Sequence, residues 1–248
     1  MPIVAPVVRP YRNLAGRLVR SAFGTAPTAL RFGSLTTDGV TCGNGLNKVF
    51  DNMVVFTVAF VVRPTTLATG AEIWAKANAR SSIVGWEFVQ SDALGNLRLK
   101  AAAATVNLEY ITNTTPLAPV NVWRFVAATG NFNGGAGTRI HIYASKSLTA
   151  PLTEAGYGTK TEPSGAQSND SANTLDIGNI GTAQINGFGG DIALALVIPG
   201  VEWTLTQLLQ WQYNPLVVPQ GCRGFWLLGQ EPNRVLDLSG YGAHGTVN

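Results

Sequence analysis

Charged side chains are scarce in this sequence. Asp, Glu, Lys and Arg together make up 12% of its 248 residues, which is about half of the usual share. Hydrophobic residues reach 46%, so the composition is not that of a disordered chain, which combines low hydrophobicity with high charge. The polar surface must therefore be built mainly from Asn, Gln, Ser, Thr and Gly. A surface of that kind is easily covered by a neighbouring subunit.

Cysteine and histidine are also rare, with two of each. Cys42 and Cys222 could form one disulfide, but a single pair is not a disulfide framework, and we favour two separate thiols. The spacing of the two cysteines supports no metal site. His141 and His244 have no Ser or Cys motif beside them, so the pattern does not indicate nucleophilic catalysis.

Long apolar runs are missing. The longest runs, residues 53–62 and 192–199, are far shorter than the roughly 20 residues with which a helix spans a bilayer. We therefore expect no membrane insertion. The chain begins MPIVAPVVRPYR, in which no basic region precedes a short apolar run that Pro2 and Pro6 interrupt. We therefore expect no secretory signal peptide.

Positive charge is concentrated near the N-terminus. Residues 1–31 carry five arginines and no acidic residue, whereas the rest of the chain carries twelve basic and fourteen acidic residues. We predict that residues 1–27 form an extended basic arm that docks on an acidic partner surface. The arginines of this arm are Arg9, Arg12, Arg17 and Arg20. The alternative is a solvated leader that packs along its own domain. Nucleic acid is not an expected partner, because the arginines form no run and no known nucleic-acid module is visible.

From residue 28 onward the sequence has the pattern of short strands separated by turns. Residues 54–63, VVFTVAFVVR, are apolar on both faces of a strand and end at Pro64, which predicts a strand buried on both sides. Ten to twelve such segments follow one another without alternating helices. This order predicts an all-β fold of two antiparallel sheets packed face to face, a sandwich or jelly roll.

The stretch 174–215 contains the one predicted helix. A short strand and a Gly-rich turn lead to an apolar strand at 191–198 and then to a helix at 204–213. Thr204 and Gln207 have the spacing of a capping box, which marks the start of that helix. Before this stretch, residues 154–173 are polar and show no period, so they are the best candidate for an exposed functional loop.

Several segments, taken in order, resemble the concanavalin A-like lectin/glucanase superfamily, and within it the laminin G-like jelly-roll domains of phage and bacterial proteins. The resembling segments are ALRF at 29–32, FTVAFVVRP at 56–64, EIWAK at 72–76, GWEF at 85–88, NVWRFVAATGNF at 121–132, RIHIYAS at 139–145, LDIGN at 175–179, GFGGDIALALVI at 187–198 and LTQLLQW at 205–211. The resemblance implies a two-sheet antiparallel jelly-roll domain over residues 28–248 with one short late helix.

Two departures from the family pattern bear on function. The segment VLDLSGYGAHGTV at 235–247 resembles one that often lies near the start of such domains, and its place at the end is similar to phage structural proteins. Many family members bind calcium through clustered acids, but here the closest acids, Glu87 and Asp92, are five residues apart. We therefore expect no cofactor and no metal site, with calcium as the one metal that the resemblance raises.

An enzyme is the least supported function. Glucanases of this superfamily carry a tight E-x-D-x-x-E cluster on one strand, whereas the acids here, among them Glu87 and Glu109, stand isolated in the sequence. We therefore expect no catalytic residues and no enzymatic activity. A glycoside hydrolase stays as a third hypothesis.

Carbohydrate binding has its own candidate residues. Trp203 and Tyr157 are the aromatic residues expected at the surface, where a sugar ring could pack. Asn169, Asp170 and Asn173 could supply polar contacts. A free carbohydrate-binding module is therefore the alternative function.

The hypothesis that we favour is a non-enzymatic structural protein of a phage virion, such as a capsid decoration or head-fibre protein. It rests on the missing export signal, the charge-poor surface, the basic arm and the terminal position of the DLSG segment. We expect such a protein to form homo-oligomers, to assemble with its own copies or other virion proteins, and to contact host glycans.

Overall fold

The computed structural model describes residues 27–33, 38–42, 50–77, 84–179, 187–231 and 234–247. Within these ranges the chain forms two sheets of antiparallel strands and one α-helix. This confirms the predicted all-β sandwich with one short late helix. The predicted arm with Arg9, Arg12, Arg17 and Arg20 lies outside the described residues. Among those residues no helix is long and apolar enough to cross a membrane.

The strands divide between a seven-stranded and a nine-stranded sheet. In chain order the elements are β1 (Leu30–Phe32), β2 (Val40–Thr41), β3 (Val55–Pro64), β4 (Ala71–Ala77), β5 (Gly85–Gln90), β6 (Leu97–Ala101), β7 (Leu108–Thr112), β8 (Arg124–Asn131), β9 (Ile140–Ala144), β10 (Thr153–Glu154), β11 (Tyr157–Thr161), β12 (Asp176–Ile177), β13 (Gly190–Pro199), α1 (Leu205–Tyr213), β14 (Gly224–Leu227), β15 (Arg234–Val235) and β16 (Gly245–Val247). The seven-stranded sheet has the order β1-β13-β3-β8-β9-β10, with β14 also paired to β13. The nine-stranded sheet has the order β11-β7-β6-β5-β4-β12-β2-β16-β15.

The main hydrophobic core lies between the two sheets and is rich in aromatic rings. The Phe56 ring of β3 meets Trp86 of β5 edge to face at 4.4 Å and Trp74 of β4 at 5.7 Å, so these aromatic residues join the two sheets. Gly130 on β8 makes room for this cluster, since a Cβ there would lie 2.8 Å from the Phe56 ring. Strand β3 is buried on both faces between β13 and β8, as its sequence predicts.

A second hydrophobic cluster lies on the outer face of the seven-stranded sheet, under α1. Leu208 and Trp211 of the helix pack there, and the Trp211 ring meets Phe125 of β8 edge to face at 5.9 Å. The predicted capping box is confirmed, because the Thr204 and Gln207 side chains each bond the backbone of the other. The buried amide of Gln212 accepts from the Leu152 N–H and donates to a loop carbonyl, which fixes the helix to the sheet.

The terminal DLSG segment has a structural role. Both carboxylate oxygens of buried Asp237 accept hydrogen bonds, from the backbone N–H groups of Phe225, Ser239 and Ala243 and from the Ser239 hydroxyl, at 2.7–3.0 Å. The chain then forms β16, which pairs with β2. The end of the chain therefore lies beside a strand that forms near the start of the domain.

Two further expectations can be compared with the structure. Cys42 and Cys222 are both buried and are not joined by a disulfide, which confirms the interpretation of two separate cysteines. The prediction of one exposed loop over 154–173 is wrong for residues 157–161, which form edge strand β11 paired with β7. The side chains of β11 are mostly exposed and polar, so its residues do not show the alternation of apolar and polar side chains by which a strand is recognised in a sequence.

Candidate functional site

A groove of about 670 Å³ lies beside α1 on the outer side of the seven-stranded sheet. The turn before the helix, the helix itself and the segment after it form its walls. Two tryptophans, four amide side chains and a few small or apolar residues line it: Trp203, Trp211, Gln207, Gln210, Asn214, Gln220, Val201, Val217, Pro219 and Gly221. No charged side chain is among these lining residues.

The chain before the helix holds Trp203 in a defined place. After β13 the chain turns at Gly200, whose φ of +75° favours glycine. The Thr57 hydroxyl of β3 then donates to the Val201 carbonyl and accepts from the Trp203 N–H, both at 2.9 Å. Thr204 begins the helix directly afterwards. Half-buried Trp203 is therefore anchored by its own backbone while its side chain lines the groove.

Trp211 lies deeper in the groove and is 6% exposed. Its indole Nε1 is buried and has no hydrogen-bond partner among the described residues. A buried donor without a partner costs about 1–3 kcal/mol.

The rim of the groove combines neutral amides with exposed apolar side chains. Gln210 and Asn214 are exposed on the helix side, whereas the Gln207 amide is engaged in the capping box. Val201, which precedes the helix, is 39% exposed, and Val217, which follows it, is 53% exposed. The groove can therefore offer aromatic surface, apolar contacts and neutral hydrogen-bonding groups at the same time.

Of the two aromatic residues predicted to bind sugar, only Trp203 lines this groove. Tyr157 lies on β11 and packs against the core between the sheets. Its hydroxyl accepts from the Ile142 N–H at 2.7 Å and donates to Glu154 at 3.1 Å, and Lys160 Nζ lies 4.6 Å from the ring centroid. Burial raises the pKa of the Tyr157 phenol. The Tyr157 ring and hydroxyl are therefore already occupied within the domain.

The three predicted polar residues lie together, but in a different place. Asp170 is fully buried, its carboxylate accepts from the Asn52 N–H at 2.6 Å, and burial raises its pKa. The buried Lys76 ammonium donates to the backbone carbonyls of Asp170 and Asn173. Only Asn169 is exposed, with its side-chain oxygen accepting from the Ser171 N–H. Asp170 and Asn173 thus hold their own loop, and the structure does not bring them to the groove.

The structure also joins two acids that look isolated in the sequence. Glu87 and Glu109 lie on the outer face of the nine-stranded sheet and both contact Arg98, at 2.5 Å and 3.5 Å. The alternation of β5, β6 and β7 is the sequence signal that could have placed them on one face. Glu87 is fully buried, so it is not accessible to a substrate. Within the described ranges, no group of three or more His, Cys, Asp or Glu side chains is placed to hold a metal ion.

Comparisons by sequence find nothing, since no family model and no curated protein matches the chain. Solved structures do resemble it. The CBM40 of the Ruminococcus gnavus IT-sialidase, bound to alpha2,3 sialyllactose, has a TM-score of 0.52 at 10% identity, covering 74% of this chain and 97% of that one. The unbound CBM40 gives a TM-score of 0.51 at 10% identity over the same shares of the two chains.

A phage protein is also similar. The enzymatically active domain of tailspike protein 2 from bacteriophage CBA120 has a TM-score of 0.51 at 14% identity, covering 72% of this chain and 27% of that one. The matched region is thus about a quarter of the tailspike chain, and identities this low carry the fold alone. The protein described here therefore has a concanavalin A-like jelly-roll fold, as its ordered sequence motifs predict.

Proposed function

We propose that this protein is a carbohydrate-binding domain that holds a neutral saccharide in the groove beside α1. The observation that carries the proposal is the combination of two tryptophans and several neutral amides in one groove, whose described lining residues include no charged side chain. A pyranose ring has a C–H face that packs on an indole and a rim of hydroxyl groups that pair with amides. Among these described lining residues a charged ligand would find no counter-charge.

One further observation supports the same function. The similar CBM40 structure was solved with a saccharide bound. Because that saccharide is a sialyllactose and the lining residues that the structure describes include no cation, we expect a different, uncharged sugar here.

The test is a glycan array, with and without calcium, followed by calorimetry on the best neutral oligosaccharide. Trp203→Ala should weaken binding at least tenfold, which corresponds to about 1.4 kcal/mol. Gln210→Ala, at an exposed helix position, should weaken binding with little effect on folding. Trp123→Ala is the matched control, because Trp123 is half-buried against the same outer cluster but does not line the groove. Equal affinity of the Trp203→Ala variant and the parent would refute the proposal.

We further propose a virion as the setting in which this domain works, in line with the hypothesis from the sequence. The similarity to a bacteriophage tailspike domain and the low charge content support this setting. In it the domain assembles with its own copies or with other virion proteins and contacts glycans on the host surface. Peptide mass spectrometry of purified particles tests the location, and light scattering over a range of concentrations tests the oligomer. A purely monomeric chain that is missing from particles would exclude this setting.

We propose that the domain acts by binding and not by catalysis. Glu87 and Glu109, which share one face of the nine-stranded sheet, both contact Arg98, and Glu87 is buried. Hydrolysis of a glycosidic bond needs two carboxylates that reach the substrate. Turnover of a polysaccharide that Glu87→Gln or Glu109→Gln abolished would overturn this part of the proposal.

A further inference from the structure

A second pocket, of about 360 Å³, lies at the edge of the seven-stranded sheet that β10 forms. The loop between β7 and β8 makes one wall, and the end of β9 together with β10 makes the other. Arg124, at the start of β8, also lines the pocket. The pocket shares no lining residue with the groove beside α1. It is therefore a separate feature of the surface, for which the function proposed for the groove does not account.

The loop wall of this pocket has a fixed shape. Arg124 is 1% exposed, and its guanidinium donates to the backbone carbonyls of Pro116, Ala118 and Pro119 at 2.6–2.9 Å. Thr115 in the same loop has a φ of +48°, which is uncommon for a residue with a Cβ. Backbone of this kind persists only where the surrounding structure fixes it. The wall is therefore formed before any ligand arrives.

The guanidinium of Arg124 lacks a counter-charge. In the part of the chain that the structure describes, its side chain bonds only to backbone carbonyls, and a fourth such bond joins Nε to the Val122 carbonyl at 3.4 Å. A guanidinium has five N–H donors, so one donor is left over. Burial lowers the pKa of Arg124, because the charged form loses its contact with water. An anion beside Arg124 would offset this cost.

The rim of the pocket adds a second cation and one acid. Lys146 is exposed, and its ammonium forms no ion pair with any residue that the structure describes. Glu154 on β10 already has partners, since its Oε1 lies 2.7 Å from His141 Nδ1 and accepts from the Tyr157 hydroxyl at 3.1 Å. Two cations and one carboxylate among the described lining residues leave an excess of one positive charge. A ligand with a single negative charge balances this excess.

The size and the remaining lining residues indicate more than a simple inorganic ion. A volume of about 360 Å³ lies within the range of roughly 300–1,000 Å³ that is typical of small-molecule sites. Thr114 and Thr153 line the pocket with exposed side chains that carry hydroxyl groups. Pro116 and Ala118 add apolar surface. Such a lining fits an anion that also has a polar ring or chain of its own.

We propose that this pocket binds an organic anion of monosaccharide size that carries one carboxylate, such as a uronic acid. The carboxylate faces Arg124 and Lys146, where charge-assisted hydrogen bonds are about twice as strong as neutral ones. The body of the ligand lies against the loop wall and the threonine hydroxyls. The domain then has two sites that differ in charge, and this second site does not depend on the function proposed for the groove.

Calorimetry on the full chain at low salt tests the proposal, with sodium glucuronate as the probe. Glucose has the same ring with a CH₂OH group in place of the carboxylate, and sulfate is an anion without a ring. We expect both to bind at least tenfold more weakly than glucuronate. Trp203→Ala in the groove should leave glucuronate binding unchanged, so a failure of this proposal can be distinguished from a failure of the groove function.

Variants at the rim test the charge argument with effects of opposite sign. Lys146→Ala should weaken glucuronate binding about threefold, the usual size for an exposed charge pair. Glu154→Gln removes the one negative charge and keeps an oxygen that can accept from Tyr157, so it should strengthen binding by a similar factor. Lys100→Ala is the matched control, because half-buried Lys100 lies on β6 and does not line the pocket.

Several results would overturn the proposal. Equal affinity for glucuronate and glucose would remove the role of the carboxylate, and equal affinity for glucuronate and sulfate would reduce the pocket to a site for inorganic anions. A Glu154→Gln variant that binds no more tightly than the parent would contradict the charge balance. An equal loss in the Lys100→Ala and Lys146→Ala variants would indicate a general effect of net charge. Near-ultraviolet circular dichroism verifies that each variant is folded.

Discussion

Replacement of Asp237 should destabilise the whole domain, because this one carboxylate joins the end of the chain to β14. It accepts four hydrogen bonds, and two of the donors, the N–H groups of Phe225 and Ala243, belong to residues that are 1% and 0% exposed. Asp237→Ala leaves both buried donors without a partner, at about 1–3 kcal/mol each. The remaining two donors belong to half-buried Ser239 and can turn to water. We therefore expect a loss of roughly 2–6 kcal/mol in the free energy of unfolding, since two such donors are left.

Two milder changes set the scale for this measurement. Asp237→Asn keeps one acceptor oxygen but turns an NH₂ group toward one of the donors, so it should cost roughly 1–3 kcal/mol. Ser239→Ala removes only the hydroxyl and should cost less than about 1 kcal/mol. Urea denaturation followed by tryptophan fluorescence measures all three variants, with an unchanged m-value as the sign that the denatured state is comparable. A cost for Asp237→Ala no larger than that for Ser239→Ala would refute the structural role of the DLSG segment.

Two further predictions concern the core and the thiols. Gly130→Ala should destabilise the domain by about 1–3 kcal/mol by overpacking, since the new Cβ would lie 2.8 Å from the Phe56 ring. Thermal unfolding measures this loss. Gly137→Ala is not a suitable control, because the φ of Gly137 is +78° and an alanine there would strain the backbone. Burial raises the pKa of Cys222 to about 12 and that of Cys42 well above 9.0. As the pH rises, the thiols of the unfolded state therefore lose their protons before those of the folded state. The free energy of unfolding should consequently fall between about pH 9 and pH 12. Denaturation at pH 8 and pH 10.5 checks the sign, and Cys222→Ala should reduce the fall; an unchanged pH dependence in that variant would argue against a thiol origin.

Local sequence patterns were sufficient for much of the architecture. The run at 54–63 predicts a strand buried on both faces, and β3 takes that place because β13 and β8 flank it in the sheet. Thr204 and Gln207 predict the start of the helix because a capping box depends only on residues three apart. Edge strand β11 has no such local pattern, so the sequence does not predict it. Its pairing with β7 uses the backbone, and its exposed side chains leave no pattern.

The candidate site was only partly predictable. Trp203 was identified because it stands directly before the helix cap, where an aromatic residue is expected at the surface. Trp211 packs on Phe125 as a core residue does, yet it also lines the groove. No sequence pattern predicts that Val217 and Gln220 line the groove, because the segment after the helix has neither a hydrophobic period nor a motif. Asp170 was a plausible sugar contact by residue type, but it is buried within its own loop.

The sequence by itself determined the fold class, the succession of strands along the chain and the capped helix, because each depends on residues that are near neighbours in the chain. Only the tertiary structure decided which residues meet. Packing of α1 on the seven-stranded sheet creates the groove, and strand register places Glu87 and Glu109 on either side of Arg98. The physical reason is that a binding site is a relation between side chains distant in sequence. Their separation is set by how sheets and helix pack, which no local pattern records.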